Sequence, residues 1–381
     1  MNRAAQADVI VVGGGIMGSA ATFFLRRRGR SVILLERGLV GQQASGTNFG
    51  NVRRQGRFLP QLPLANRSRA IWGRLGELLG EDAEFLVSGH VRVCYSHEQI
   101  AAFEAHAREA RHYGLELEIL TGNALRDRFP LIGPEAVGGS FSPHDGHANP
   151  RLAAPAFAYA ARREGADVRE NIEVLSIAKS GDDFVVDAEG GASFRAPIVL
   201  ITAGAWGGAL AAAFGEPVPL VARGPQMAVT EPVPYAITPV VGVSSKIAEE
   251  GIYLRQIPRG NVIFGGGSRG PAFTDIRRAY VMPRNTLGQL TQIRRVIPAL
   301  NALRIIRVWS GIESYLPDDI PIMGPSARVS GLFYAFGFCG HGFQLGPGVG
   351  DVMAELIDTG ATSTPIDPFH IRRFARTVEP S

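Results

Sequence analysis

The sequence predicts an α/β protein: a discontinuous domain with a core of parallel strands, and a second α+β domain built on a mainly antiparallel sheet. Three observations predict it. Residues 9–36 read strand, glycine turn, helix, strand and carboxylate in one unbroken run. Buried apolar strands recur much later, in RAPIVLITAGAW (195–206) and LFYAFG (332–337). The stretch from Pro217 to Phe273 is rich in proline, glycine and β-branched residues, the composition of an antiparallel sheet.

Each part of the first run has a separate physical job. Val9 to Val12 are apolar and mostly β-branched, as a strand buried on both faces requires. Gly13, Gly15 and Gly18 fit the spacing GxGxxG: a tight turn, a close backbone approach to a pyrophosphate, and close helix–strand packing. A helix starting near Ile16 and Met17 aims free N–H groups and a positive dipole end at that pyrophosphate. Gly29 ends the helix, Val32 to Leu35 form the second strand, and Glu36 stands where a carboxylate bonds ribose hydroxyls. Together these parts predict a Rossmann-like dinucleotide-binding unit.

Beyond Glu36 comes a polar, glycine-rich loop from Gly41 to Gly56, then a helix near Pro63 to Leu79. Segments 85–95 and 115–120 read as strands around a charged helix at 97–113, and a second helix spans Pro150 to Arg163. A strand around Val168, the alternating IEVLSI (172–177) and FVVDA (184–188) make a β excursion. In the antiparallel region the expected strands are PQMAVT (225–230), IYLRQ (252–256) and NVIFGGG (261–267), followed by a helix at 284–297. LRIIRVWSGI (303–312) leads back to a glycine-rich loop that opens a last helix near Gly346 to Thr359. The expected domains are 1–84, 145–216 and 305–381 for the nucleotide-binding part, and 85–144 with 217–304 for the substrate part.

The 381 residues are 45% hydrophobic and 19% charged, which argues against disorder and leaves ample material for a large core. The net charge of +4 is carried almost wholly by arginine, since Lys179 and Lys246 are the only lysines. These cations alternate with acids, so nucleic-acid binding gains no support. Cys94 and Cys339 are too few for a disulfide scaffold or a metal cluster, and a reducing cytoplasm fits best. The apolar start lacks the pattern of a secretory signal, and no run is long enough for a membrane span.

Four separated stretches carry a resemblance. They are VIVVGGGIMGSA with Glu36; Gly46 through Arg53 to PLANRSRAIW (63–72); DGHANP (145–150) running to EVLSI and ITAGAW; and PDDIPIMGPS to FGFCGHGFQLGPGVG (317–350). In these the chain resembles the flavin-dependent amine oxidoreductases that include D-amino acid oxidase, glycine oxidase and sarcosine oxidase. The last stretch looks most like the flavin subunits of opine oxidases and D-hydroxyproline dehydrogenases. The resemblance implies FAD rather than NAD. Glu36 would hold the adenosine ribose, with Arg37 beside it. Ser45, Gly46, Thr47 and Asn48 match the loop that wraps the flavin's phosphate and ring end. Val174 corresponds to a backbone contact with adenine, and Ala203, Gly204 and Trp206 to a small-residue turn along the cofactor. Gly340, His341, Gly342, Phe343 and Gln344, just before the final helix, would approach the pyrimidine edge of the flavin.

The implied chemistry is hydride transfer from a carbon bearing an amine to flavin N5, with the imine then hydrolysed. The protein must orient the amine and favour its neutral form, so no strong side-chain base is required. Carboxylate recognition falls to arginine, which offers two parallel hydrogen bonds. Arg53 stands at the active-site arginine of the Gly-x3-Gly-x-x-Arg pattern (Gly46, Gly50, Arg53), with Arg54 as its competitor. Tyr253 and Arg255, two apart on a strand, share a face, and either could point to the pocket.

Departures from the family pattern matter as much. Gly311 occupies the position of the flavin-attaching cysteine of sarcosine oxidases, so noncovalent FAD is expected. Ile263 replaces the lysine that assists oxygen, and Gly267 an active-site histidine. Glu313 stands where glycine and D-amino acid oxidases usually place a carboxylate-binding arginine, which favours a larger, N-substituted or cationic amino-acid substrate. The expectation is an FAD-dependent dehydrogenase or oxidase of amino-acid C–N bonds, of D-amino acid, hydroxyproline, opine or sarcosine type. Relatives with this ending work with iron–sulfur or flavin partner subunits. The alternative is a noncatalytic FAD-holding electron-transfer or assembly subunit.

Overall fold

A computed structural model describes residues 5–375 except 244 and 246. Its central sheet has six strands in the order Ile322–Pro325, Leu332–Phe336, Ile198–Ile201, Val9–Val12, Val32–Leu35 and Asp167–Arg169. All neighbours are parallel except the first pair. Val9–Val12 and Val32–Leu35 are buried at every position, as expected for strands covered on both faces. One covering layer is formed by helix α1 (Ile16–Arg27), α2 (Pro150–Arg163) and α3 (Gly342–Thr359). Helix α3 lies close enough to α1 that a side chain at Gly346 or Gly350 would collide with Ile16 or Ala20. Glycine there permits backbone approach. On the opposite face a four-stranded sheet (Ala5–Gln6, Ser193–Ala196, Asp183–Ala188, Val174–Ser180) supplies Phe184, Val186 and Phe194 to the core.

The second sheet has nine strands and is mainly antiparallel. Its one parallel pairing sets Val240–Val243 beside His90–Val93, which splices the excursion at 85–144 to the one at 217–304. Its edge strand Ile305–Ser310 pairs with Val221–Pro232, and Glu313–Tyr315 pairs further along that same long strand. The α/β class and the discontinuous architecture are therefore as the sequence predicts. No helix among the described residues is long and apolar enough to cross a membrane.

Several local expectations are corrected. The helix over 63–79 is two helices, Leu62–Trp72 and Leu75–Leu79, broken at Gly73 and Arg74. RAPIVLI is not one strand. Pro197, which has no N–H for a ladder, divides Ser193–Ala196 of one sheet from Ile198–Ile201 of another. The last helix starts at Gly342 instead of Gly346, so Gly342, Phe343 and Gln344 form its first turn. Pro347 then lies inside the helix, where it has no N–H for the ladder. The structure absorbs it with Ser68, whose Oγ donates to the Gln344 carbonyl at 2.5 Å and accepts from Gly348 N–H at 3.0 Å. Trp72 Nε1 also donates to that carbonyl, at 2.9 Å.

Candidate functional site

A cavity of about 530 Å³ runs along the carboxyl ends of the central strands and under the second sheet. At its nucleotide end, Gly13 takes φ +108°, and a side chain at Gly18 would sit 1.9 Å from the Gly13 carbonyl oxygen. Gly18 is thus behind the wall and works by packing; Gly13, Gly15, Ile16 and Met17 line the cavity. Glu36, at the end of its strand, is fixed through both oxygens, which accept from Gly14 N–H at 2.7 Å and Gly38 N–H at 2.8 Å. Its carboxylate still faces the cavity. Val174 lines the wall beyond it, and Ala203, Gly204 and Trp206 the opposite side. Arg37 lies 4.2 Å over the Trp206 ring and 3.5 Å from Glu173, while Trp206 Nε1 donates to the Thr274 carbonyl at 3.0 Å.

The polar loop becomes one helical turn, Ala44–Thr47. Ser45 Oγ accepts from Ile16 N–H at the start of α1, 2.9 Å away. Ser45 and Asn48 reach the wall. Gly46 and Thr47 do not. A Cβ on Gly46 would lie 2.3 Å from the Gly41 carbonyl oxygen, and Thr47 is turned to Gln43 and to Trp309, whose Nε1 donates to its carbonyl at 2.8 Å.

At the other end Arg53, Tyr253, Glu313 and residues 340–344 converge. Arg53 and Arg54 part company. Arg54 is bound by Asp145, its backbone N–H at 2.8 Å from Oδ2 and its Nε at 3.1 Å from Oδ1. Arg53 is half-buried and its guanidinium makes one hydrogen bond, to the Gln55 carbonyl at 2.5 Å, which leaves most of its donors for a ligand. Burial lowers its pKa, against a partial offset from Asp145. Tyr253 and Arg255 share a face as strand alternation requires, and both meet Phe49: the Tyr253 ring at 4.8 Å and the Arg255 guanidinium at 5.5 Å. Only Tyr253 reaches the cavity. Arg255 is spent behind it, on the Phe49 carbonyl at 2.9 Å and His147 Nδ1 at 3.0 Å.

Sequence reading missed Arg57 and Arg269, both on the wall. Arg57 donates through Nε to the Arg53 carbonyl at 3.0 Å, and its Nη1 is 3.0 Å from His341 Nδ1. Position i+4 from Arg53 was a signal of a kind, but its partner is 284 residues away. Arg269 packs 4.0 Å over the Tyr315 ring. Burial, then the Arg57 and Arg53 charges, hold the His341 pKa well below normal, so its ring is neutral. Burial raises the Glu313 pKa, against hydrogen bonds from Tyr315 and Gly340 and the Arg269 charge.

The wall fits FAD. Two of its buried polar atoms, Gln344 Oε1 and Asn51 Oδ1, have no hydrogen-bond partner among the described residues and await a ligand. The glycine turn and the start of α1 suit a pyrophosphate, Glu36 a ribose, and the first turn of α3 an electron-rich ring edge.

Comparison with known proteins agrees. Residues 8–356 match the family described as DAO, FAD dependent oxidoreductase. The chain is 30% identical over 376 residues to glycine oxidase of Geobacillus kaustophilus, covering 96% of this chain and 97% of that one. It is 27% identical to an opine oxidase subunit of Rhizobium meliloti, covering 97% and 98%. Among solved structures, L-proline dehydrogenase from P. horikoshii superposes with a TM-score of 0.91 at 26% identity, covering 99% of this chain and all of that one. With a cavity shaped for the dinucleotide and a match over nearly its whole length, the chain belongs to the DAO family of FAD-dependent oxidoreductases.

Proposed function

We propose that this protein oxidises the C–N bond of an amino acid or N-substituted amino acid, with noncovalently held FAD. The observation that carries this reading is the charge pattern of the cavity's far end. The half-buried Arg53, with spare donors, lines the same cavity as the Glu313 carboxylate, next to the first turn of α3. The names of the similar proteins, glycine oxidase, opine oxidase and L-proline dehydrogenase, support the substrate class. Bound FAD would supply the hydride acceptor. The chain's own task is orientation: Arg53 holds the substrate carboxylate by paired hydrogen bonds, and Tyr253 and Phe49 close the pocket against water.

Noncovalent attachment is supported by the state of both thiols. A Cβ at Gly311 would lie 2.0 Å from Thr47 Oγ1, so that position has no room for a cysteine. Burial pushes the Cys339 thiol up to about 12 and the Cys94 thiol to about 11, so neither is a thiolate. A dehydrogenase is favoured over an oxidase because Ile263 packs with Phe49, Met227 and Tyr253 where an oxygen-assisting cation would stand. Electrons then pass to a partner subunit carrying iron–sulfur or a second flavin.

The test is anaerobic mixing of the purified yellow protein with D- and L-amino acids, hydroxyproline isomers, sarcosine and opines. Bleaching of the flavin absorbance by at least one of them is expected, and its absence for all would sink the proposal. Reoxidation of the reduced protein by air should be slow.

A further inference from the structure

Two adjacent residues of the loop entering α3 carry opposite charges on their flanks. Gly340 N–H donates to Glu313 Oε1 at 3.0 Å. The next residue, His341, meets Arg57: Nη1 lies 3.0 Å from its Nδ1, and Nη2 donates to its carbonyl at 3.4 Å. A carboxylate and a guanidinium are thus anchored to consecutive residues. Both line the cavity, with Arg53 beside Arg57.

Glu313 is held by two hydrogen bonds and, among the described residues, no ion pair. Tyr315 OH donates to its Oε2 at 2.7 Å, and with Gly340 that uses two of the roughly four acceptor sites of a carboxylate. Among the described residues no cation forms an ion pair with it, and the nearby Arg269 is laid over the Tyr315 ring instead. A partly buried carboxylate with no ion-pair partner gains from a cationic ligand.

We propose that Glu313 is the seat of the substrate's nitrogen, which arrives as an ammonium with its carboxylate on Arg53 and passes its proton to Glu313 to become the neutral amine that oxidation needs. This rests on the amine-oxidising reading above and deepens it. It also revises the sequence expectation that an acid at this position serves a second, distal cation. Simple carboxylic acids, which lack the nitrogen, are then poor ligands.

An isosteric pair tests this: glycine betaine and 3,3-dimethylbutanoate differ only in a quaternary nitrogen replacing a quaternary carbon. Neither can be oxidised, so binding is read as a shift of the flavin spectrum of the holoenzyme near neutral pH, whatever the turnover. The wild type should bind betaine at least about tenfold more tightly, and Glu313→Gln should bring the two to near parity. Glutamine keeps an oxygen for Gly340 N–H, so the variant removes charge and little else. A wild-type ratio near one, failure of betaine to bind, or an unchanged ratio in Glu313→Gln would each overturn the proposal. If the variant loses FAD, the wild-type ratio alone still decides. Charge preference without reduction by any amine would sink the proposed activity and leave this assignment standing; reduction by amines without charge preference would do the reverse.

Discussion

The two ends of the cavity are built by different means. The nucleotide end is made of backbone: a glycine turn, the start of α1, and one carboxylate fixed by the N–H groups of Gly14 and Gly38. Most of its parts come from 28 consecutive residues, 9–36. The reaction end is made of polar and charged side chains brought from residues 53, 57, 253, 269, 313 and 341. Backbone donors serve any dinucleotide alike, whereas placed charges select one substrate. Binding of the cofactor is therefore a local property of this chain, and substrate choice a tertiary one.

Four variants or conditions sharpen the contrast. The largest effect is expected from Gly18→Ala, because a methyl group 1.9 Å from the Gly13 carbonyl oxygen must push strand and helix apart. Overpacking of this severity should cost about 3 kcal/mol or more, read as a lower urea midpoint and loss of bound flavin. Retained flavin and stability would show that the turn is looser than the geometry says.

Next comes acid. Half-buried His341 and buried His90 and His147 all have pKa values depressed below the ordinary 6.5, that of His147 to about 3, chiefly by desolvation. The folded state then binds fewer protons than the unfolded one. Their contribution is complete above about 6.5 and is lost as pH falls toward the depressed values, by at most about 1.4 kcal/mol per pH unit for each ring. Thermal unfolding should therefore drop to lower temperature on acidification from pH 6.5, and His341→Asn should flatten that slope.

Arg53→Ala should lower the rate constant for substrate reduction over its dissociation constant by at least about tenfold, near 1.4 kcal/mol, with flavin content unchanged. Loss of flavin in step with the kinetics would merge the two ends into one. The smallest effect belongs to Arg277→Ala. Its ion pair with Glu173 is exposed and beside the nucleotide end, and its loss should change stability by less than about 1 kcal/mol.

What could be read in the sequence follows the same division. The run from Val9 to Glu36 was legible because periodicity, glycine spacing and the terminal acid are all short-range. Tyr253 and Arg255 were legible as sharing a face, but which of them ends at the cavity depended on His147 and Phe49, far off in the chain. Gly46 and Thr47 matched a motif and proved to be its scaffold rather than its surface. The start of α3 lies four residues earlier than the glycine-rich loop suggests, because Ser68 of another helix holds the backbone on either side of Pro347.

The sequence by itself determined the α/β class and the nucleotide fold, since burial pattern and backbone freedom are properties of neighbouring residues. Tertiary structure alone decided which arginine is free, Arg53 against an Arg54 consumed by Asp145, and anchored Glu313 and Arg57 to consecutive residues. Charge acts through space and is settled by what else is near. No local pattern records whether a buried cation already has its anion.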